Sequence, residues 1–221
     1  VPDLAYAYPV SEIPALPSAN ADTVIVGVSP MIYADPRFYP IANAEVYQNH
    51  IESLAEISAR LLRLDHQVVL FASDKPDREA QKELFEAILK RVPSERHHLL
   101  TCADVDRIAD LIEVLGGVDL VIAARLHGVL LAHVMYRPAY AIAHDLKVRT
   151  LVEEIGQEAY CQDLEDFDVE SGWRQILELI ENREAISSSI REHALVYRNR
   201  VEQQYDQVFG SFREDGGRLG S

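Results

Sequence analysis

A doubly wound, parallel α/β sheet is the fold this sequence predicts, and three observations carry it. Short aliphatic runs at residues 23–29, 67–71, 119–123 and 139–143 alternate with stretches whose apolar residues recur at helical spacing. The runs are apolar at nearly every position, as strands covered on both faces are. The connections are long enough for helical crossovers, which run right-handed and give a parallel, Rossmann-like sheet.

The elements follow in order. Residues 1–22, rich in Pro, Ser, Ala and Asn, read as an interdomain linker or the end of a preceding domain, and the Val1 start suggests a fragment of a longer protein. Residues 23–29 (TVIVGVS) form the first strand, and a Pro- and aromatic-rich loop spans 30–40. Val46, Ile51, Leu54, Ile57, Leu61 and Leu62 mark one face of a long helix. Strand 67–71 leads to a helix over 76–91, with Asp74 as its candidate N-cap and Pro76 in its first turn. A short third strand is expected over 97–100, placing His97 and His98 on opposite faces. A helix over 104–115 stops at Gly116-Gly117. Strand 119–123, helix 126–136, strand 139–143 and a helix over 146–155 ending at Gly156 come next. Amphipathic helices over 172–183 and 185–208 close a domain of residues 23–212, and 213–221 read as a flexible tail.

Composition narrows the function classes. With 36 acidic against 21 basic residues in 221, the formal charge is −15, so a nucleic-acid partner held by phosphate neutralisation is not expected. The longest apolar region, 119–143, is broken by Arg125, His127, His133 and Arg137, which argues against a membrane span. Nothing at the start of the chain resembles a signal peptide, so a cytoplasmic site of action, extending to the inner face of the membrane, is expected. Cys102 and Cys161 lie far apart, and neither they nor the eight histidines fall at metal-ligand spacing, so no metal is expected. Glycine-rich nucleotide loops, a nucleophile elbow and a zinc-peptidase motif are all missing from the sequence.

In an open α/β sheet, ligands bind beyond the carboxyl ends of the strands, where the strand order reverses. With the order 3-2-1-4-5-6, taken from the fold class, three polar elements converge there: Gly27-Val28-Ser29, Arg125-Leu126-His127 and His144-Asp145-Leu146-Lys147. Arg125 and His127 stand at a helix start, whose free N–H groups favour an anion. A guanidinium there can grip a carboxylate or phosphate, and an imidazole can move a proton near neutral pH. Equally, Arg125 could pair with a nearby acid and His127 could cap the helix. Gly128 favours the ligand reading, since it permits close approach. Asp145 is a natural N-cap; Lys147, a cation in a first helical turn, suggests a bound anion or a pairing with Asp145. Gly27 and Ser29 could offer a backbone approach and a hydroxyl, or simply end a strand. Arg37, with Tyr33, Phe38 and Tyr39, could belong to a lid over the crevice or pack on the surface.

These residues, taken together, resemble a known family. Asp119-Leu120-Val121-Ile122, Arg125-Leu126-His127, Arg137-Pro138 and Asp145-Leu146-Lys147-Val148, with Gly27-Val28-Ser29-Pro30 and Asp3-Leu4-Ala5-Tyr6, are similar to the C-terminal half of the polysaccharide pyruvyl transferases. The resemblance implies the C-terminal half of a GT-B-like architecture. It also implies transfer of a pyruvyl group from phosphoenolpyruvate to a sugar of a cell-surface polysaccharide, forming a ketal. Phosphoenolpyruvate would be the donor substrate with no further cofactor, the acceptor a sugar or lipid-linked glycan, and a missing N-terminal domain the partner. By resemblance Arg125 and His127 handle the donor and the chemistry, with Asp145 and Lys147 as further candidates. Two positions depart from the pattern: His144 stands where the family often has Tyr, and Met31 where a basic residue is expected. The competing readings are a nucleotide-sugar glycosyltransferase or epimerase domain, and a non-catalytic sugar- or nucleotide-binding domain.

Overall fold

Alternation along the strands determines which layer each side chain enters. In β1 (Ile25–Ser29), β4 (Leu120–Ala123) and β5 (Ala139–Ala143), Val26, Val28, Leu120, Ile122, Tyr140 and Ile142 join one core. Their neighbours Val121, Ala123, Ala139, Ala141 and Ala143 join another on the opposite face. Both faces are therefore apolar and both are covered by helices. The computed structural model describes residues 3–9, 13–18, 22–40 and 42–215, with 208–215 as backbone alone.

The first core is closed by α1 (Ala44–Arg63), α2 (Arg78–Leu89) and α6 (Val169–Glu181). The second is closed by α3 (Ile108–Gly116), α4 (Leu126–Val134), α5 (Leu146–Glu154) and α7 (Arg183–Asp215). With β2 (Gln67–Leu70), β3 (Leu100–Cys102) and β6 (Cys161–Asp163) the sheet has six strands in the order β3-β2-β1-β4-β5-β6, every described pairing parallel. The order reverses between β1 and β4, where Ser29 pairs in register with Ala123.

Caps account for the helix starts. Asn43 accepts from the N–H groups of Glu45 and Val46, Asp145 from Lys147 and Val148, and Asp168 from Ser171. Asp74 caps a 3-10 turn, Lys75–Asp77, that feeds α2. Gly156, at φ 68°, takes the left-handed conformation that ends α5.

Three expectations are corrected. The strand expected over 97–100 is a 3-10 turn, Ser94–Leu99, so His97 and His98 do not straddle a sheet; the strand begins only at Leu100. Strand β6 was not anticipated. The two closing helices are longer than their apolar patterns, and α7 runs to Asp215, into the expected tail; residues 216–221 lie outside the described residues.

The described parts of the expected linker are tied to the domain. Tyr6 is buried edge-on against Tyr197 of α7, with ring centroids 5.1 Å apart. Asp119, wholly buried, accepts from Ser18 N at 2.8 Å and Ile25 N at 2.7 Å. Arg137, 1% exposed, donates to the carbonyls of Leu115, Gly116, Pro14 and Ala15.

Candidate functional site

The carboxyl ends of β2, β3 and β4 open on a cleft of about 550 Å³. Ala72, Ser73, Asp74 and Lys75 line it from the loop after β2, and Val105 to Ile108 from the loop after β3. Arg125 and His127 line it from the start of α4. Sequence and geometry thus agree that Arg125 and His127 share one concave site. His127 is exposed to it; Arg125 is 22% exposed.

Arg125 is held from behind. Its Nε donates to Asp77 Oδ2 at 2.8 Å and its Nη2 to Asp77 Oδ1 at 2.9 Å, a fork-to-fork pair. Asp77 is wholly buried and also accepts from Ile32 N at 3.0 Å. The Asp77 carboxylate raises the Arg125 pKa further above its ordinary value, chiefly by hydrogen bonding, against an opposing effect of burial that is larger than the added attraction of the Asp77 charge. One carboxylate therefore ties the loop after β1 to the turn that feeds α2 and to the cap of α4. The acid that Arg125 was able to pair with exists, and it leaves the other guanidinium donors directed away from the pair.

Gly128 brings α4 close to the sheet. A Cβ there would lie 3.1 Å from Ala123 Cβ and 3.6 Å from Ser73 Oγ. The close approach expected at this glycine is made by packed strand and loop. It seats the helix start beside Ser73, whose hydroxyl meets that of Ser29 at 3.1 Å. Ser29 is itself buried beneath the crevice rather than presented to it.

Four expected site residues fall elsewhere. Gly27 sits inside the core, where a Cβ would meet Phe71 Cε1 at 3.1 Å and Val118, so its bare backbone accommodates packing and no ligand. Arg37 is engaged by Asp35 at 2.5 Å and Glu83 at 2.6 Å, and lies over the rings of Phe38 and Tyr47. Hydrogen bonding to Arg37 holds the Asp35 carboxyl below its ordinary pKa. The loop that carries Arg37 is thus fastened to α1 and α2. Lys147 lines a separate groove of about 370 Å³ with Tyr6, Leu126, Leu146 and Tyr197. Asp145 acts as the N-cap of α5.

A second polar cluster lies at the ends of β1 and β5. His144 Nδ1 contacts Ala124 O at 3.0 Å; a carbonyl only accepts, so Nδ1 carries the hydrogen. Its ring tilts against Tyr33 at 5.5 Å, and its Nε2 is 3.5 Å from Asp145 Oδ2. Tyr33 in turn donates to Glu165 at 3.0 Å, which raises the pKa of the phenol. Met31, where a basic residue was expected, is buried, and its N–H donates to Nε2 of buried His50 at 3.3 Å. Burial, and then the proximity of His144, hold His50 at a pKa of about 4.

Sequence reasoning did not find Asp77, Ser73, Lys75 or Arg107. Asp77 carried one signal, an acid in a first helical turn, which the macrodipole alone explains. Arg107 stands before an amphipathic stretch, as any surface cation does. Among the described residues no group of three or more His, Cys, Asp or Glu could hold a metal ion.

Comparisons with known proteins bear on this site. A search of curated proteins returns no match. Among solved structures, a variant O-GlcNAc transferase from Thermobaculum terrenum superposes with a TM-score of 0.56 at 20% identity. The alignment covers 96% of this chain and 38% of that one, so the chain spans well under half the length of its structural relative. At that identity the likeness is one of fold, and it agrees with a Rossmann-like unit of a GT-B-like architecture. The family model for polysaccharide pyruvyl transferase matches residues 1–145, which include β1 to β5, the Arg125-Leu126-His127 motif and the buried Asp77 beneath it. The chain therefore belongs to the polysaccharide pyruvyl transferase family.

Proposed function

We propose that the cleft between the loops after β2, β3 and β4 binds phosphoenolpyruvate, whose pyruvyl group is transferred as a ketal to a sugar of a cell-surface polysaccharide. One observation carries this reading: in a chain of this family, Arg125 is held rigidly by Asp77 at a helix start, beside exposed His127, in a concave site. Phosphoenolpyruvate presents a carboxylate and a phosphate, and a guanidinium whose rear edge is fixed offers its remaining donors to one of them without first losing rotamer freedom.

The chemistry requires protons to move in both directions. A proton added to the enol methylene carbon leaves positive charge at the adjacent carbon, which one sugar hydroxyl attacks. The phosphate departs with the bridging oxygen, and a second hydroxyl closes the ketal ring. Of the two hydroxyl protons released, one replaces the proton delivered to carbon and the other leaves with phosphate or solvent. His127 is assigned the proton transfer, for which an imidazole is suited near neutral pH. Its exposure leaves it open to an acceptor arriving from outside the cleft, on a facing domain or partner.

Thermal unfolding in the presence of candidate donors tests the reading. A ligand that binds only the folded chain stabilises it by about 2.7 kcal/mol at a hundred times its Kd. Phosphoenolpyruvate is expected to raise the midpoint, and UDP- and GDP-sugars to leave it unchanged. Protection by a nucleotide sugar and none by phosphoenolpyruvate would favour a nucleotide-sugar enzyme or binding domain instead.

A further inference from the structure

We infer that a groove at the far end of α4 is a second ligand site, built for an acidic sugar: a monosaccharide unit that carries a phosphate or a carboxylate. The groove encloses about 410 Å³ between residues 13–16, the turn after α4 and the first half of α7. The nine residues of α4, roughly 13 Å in length, separate it from Arg125 and His127. Its Arg137 stands two residues before β5, at the amino end of the strand, whereas the cleft lies beyond the carboxyl ends.

Charge is the first argument. Arg137, Arg191 and Arg198 line the groove, and among the described residues no Asp or Glu does, in a chain whose net charge is −15. Arg137 is 1% exposed and donates through Nε and Nη2 to four backbone carbonyls, while its Nη1 bonds to no described residue. Burial pulls its pKa below the ordinary value, opposed by the charge of Asp119, with which it makes no contact among the described ion pairs. A buried guanidinium whose partners are all neutral lacks the counter-charge that such a group normally keeps. Arg191 is exposed, forms no ion pair with any described residue, and lies over the Tyr136 ring at 6.0 Å. Arg198 donates to Tyr8 O at 2.9 Å and approaches the carboxylate of Glu202 only to 4.0 Å.

The remaining groups select a sugar rather than a bare anion. Ser187 Oγ donates to Tyr136 O at 2.7 Å and Ser188 Oγ to Glu184 O at 2.9 Å. Their hydrogens are spent, so these oxygens cannot donate to an anion; their lone pairs can accept from hydroxyl groups. Tyr136 takes φ 58°, a left-handed conformation that favours Gly or Asn at the end of a helix, and its ring gives the groove an apolar wall. The volume falls within the roughly 300–1,000 Å³ of small-molecule sites and exceeds what a free phosphate fills. Cations for one acidic group, acceptors for hydroxyls and an aromatic wall together match an acidic sugar. Phosphoenolpyruvate has no hydroxyl for the serines and is assigned to the cleft alone.

Calorimetric titration of the chain with glucose 6-phosphate and with galacturonate tests this, with Arg191→Met, Arg198→Met and Arg125→Met compared after thermal unfolding shows each variant to be folded. At least one of the two acidic sugars is expected to bind the wild type saturably, and neutral glucose at least tenfold more weakly. Arg191→Met and Arg198→Met should each weaken that binding roughly tenfold, the scale of one lost charge-assisted contact. Arg125→Met, which disables the cleft, should leave it within about twofold. Trigalacturonate separates two sources of the same chemistry: binding tighter than galacturonate assigns the groove to an acidic unit within a polymer, and equal or weaker binding to a free acidic sugar. No saturable binding of either acidic sugar by the wild type, or binding lost in Arg125→Met and kept in Arg191→Met, overturns the inference. Either result leaves the donor reading of the cleft intact, because phosphoenolpyruvate is titrated separately.

Discussion

Replacing Asp77 by Ala removes more than a charge. The side chain is wholly buried and accepts three hydrogen bonds: from Ile32 N at 3.0 Å, Arg125 Nε at 2.8 Å and Arg125 Nη2 at 2.9 Å. Breaking a buried pair from one side typically costs about 3–5 kcal/mol, because the surviving charge stays without its partner. Arg125 is 22% exposed, so water on the cleft side recovers part of the loss. The orphaned N–H of Ile32 adds to it, in the range of about 1–3 kcal/mol for an unpaired buried donor. Together these place Asp77→Ala near 3 kcal/mol of destabilisation, a large share of the roughly 5–15 kcal/mol that holds a typical domain. Asp77→Asn keeps an oxygen for Ile32 or for one guanidinium edge, and should cost about half as much. Urea denaturation reads both: with a slope of roughly 3 kcal/mol/M, Asp77→Ala shifts the midpoint down by about 1 M at constant slope. An Asp77→Ala protein within about 0.5 kcal/mol of wild type would refute the claim that this carboxylate anchors the site. Asp77→Asn, folded but with a loosened Arg125, should also bind phosphoenolpyruvate more weakly.

Other consequences are equally direct. His50 and His133 are buried and held at a pKa of about 4, against an ordinary 6.5, with burial the main cause in each. The unfolded chain takes up their protons first, so their stability contribution is full above pH 6.5 and lost as pH falls toward 4. At pH 5 each costs about 2 kcal/mol, and a double His50→Gln, His133→Gln variant should show a shallower loss of stability between pH 7 and 5; an unchanged pH slope would contradict it. Arg137→Met strips a donor from the carbonyls of Leu115, Gly116, Pro14 and Ala15, and should cost about 2–4 kcal/mol. Because two of those carbonyls belong to the N-terminal segment, limited proteolysis there should accelerate, and equal cleavage rates would argue against the clamp. Arg37→Ala, at a half-exposed site paired with Asp35 and Glu83, should cost about 1 kcal/mol and leave phosphoenolpyruvate affinity unchanged. A tenfold weaker donor affinity in that variant would return Arg37 to the donor site.

Much of the fold was legible because its strands are apolar on both faces, and runs such as 119–123 and 139–143 admit few other readings. The elements that escaped have specific reasons. Strand β6 is three residues long at the sheet edge, and Cys161-Gln162-Asp163 offers no apolar run. The third strand was expected from residue 97, but a 3-10 turn after Pro93 carries His97 and His98 past the point where the sheet begins. At the site, Arg125 and His127 stood out as polar residues interrupting an apolar region. Gly27 and Arg37 stayed open between two readings for a shared reason: sequence position places them at the carboxyl edge, and only packing shows Phe71 against one and Asp35 and Glu83 around the other. Lys75 and Asp77 were passed over because attention to the reversal point emphasises β1, β4 and β5. The cleft opens instead toward the loops after β2 and β3, between α3 and α4.

The central claim is that the cleft at Arg125 and His127 is a phosphoenolpyruvate site. Isothermal titration of phosphoenolpyruvate into the chain, alongside Arg125→Met, tests it most directly. The account predicts one saturable site in the wild type and its loss in the variant. Equal binding in both, or no binding of phosphoenolpyruvate by a folded wild-type chain, would contradict it.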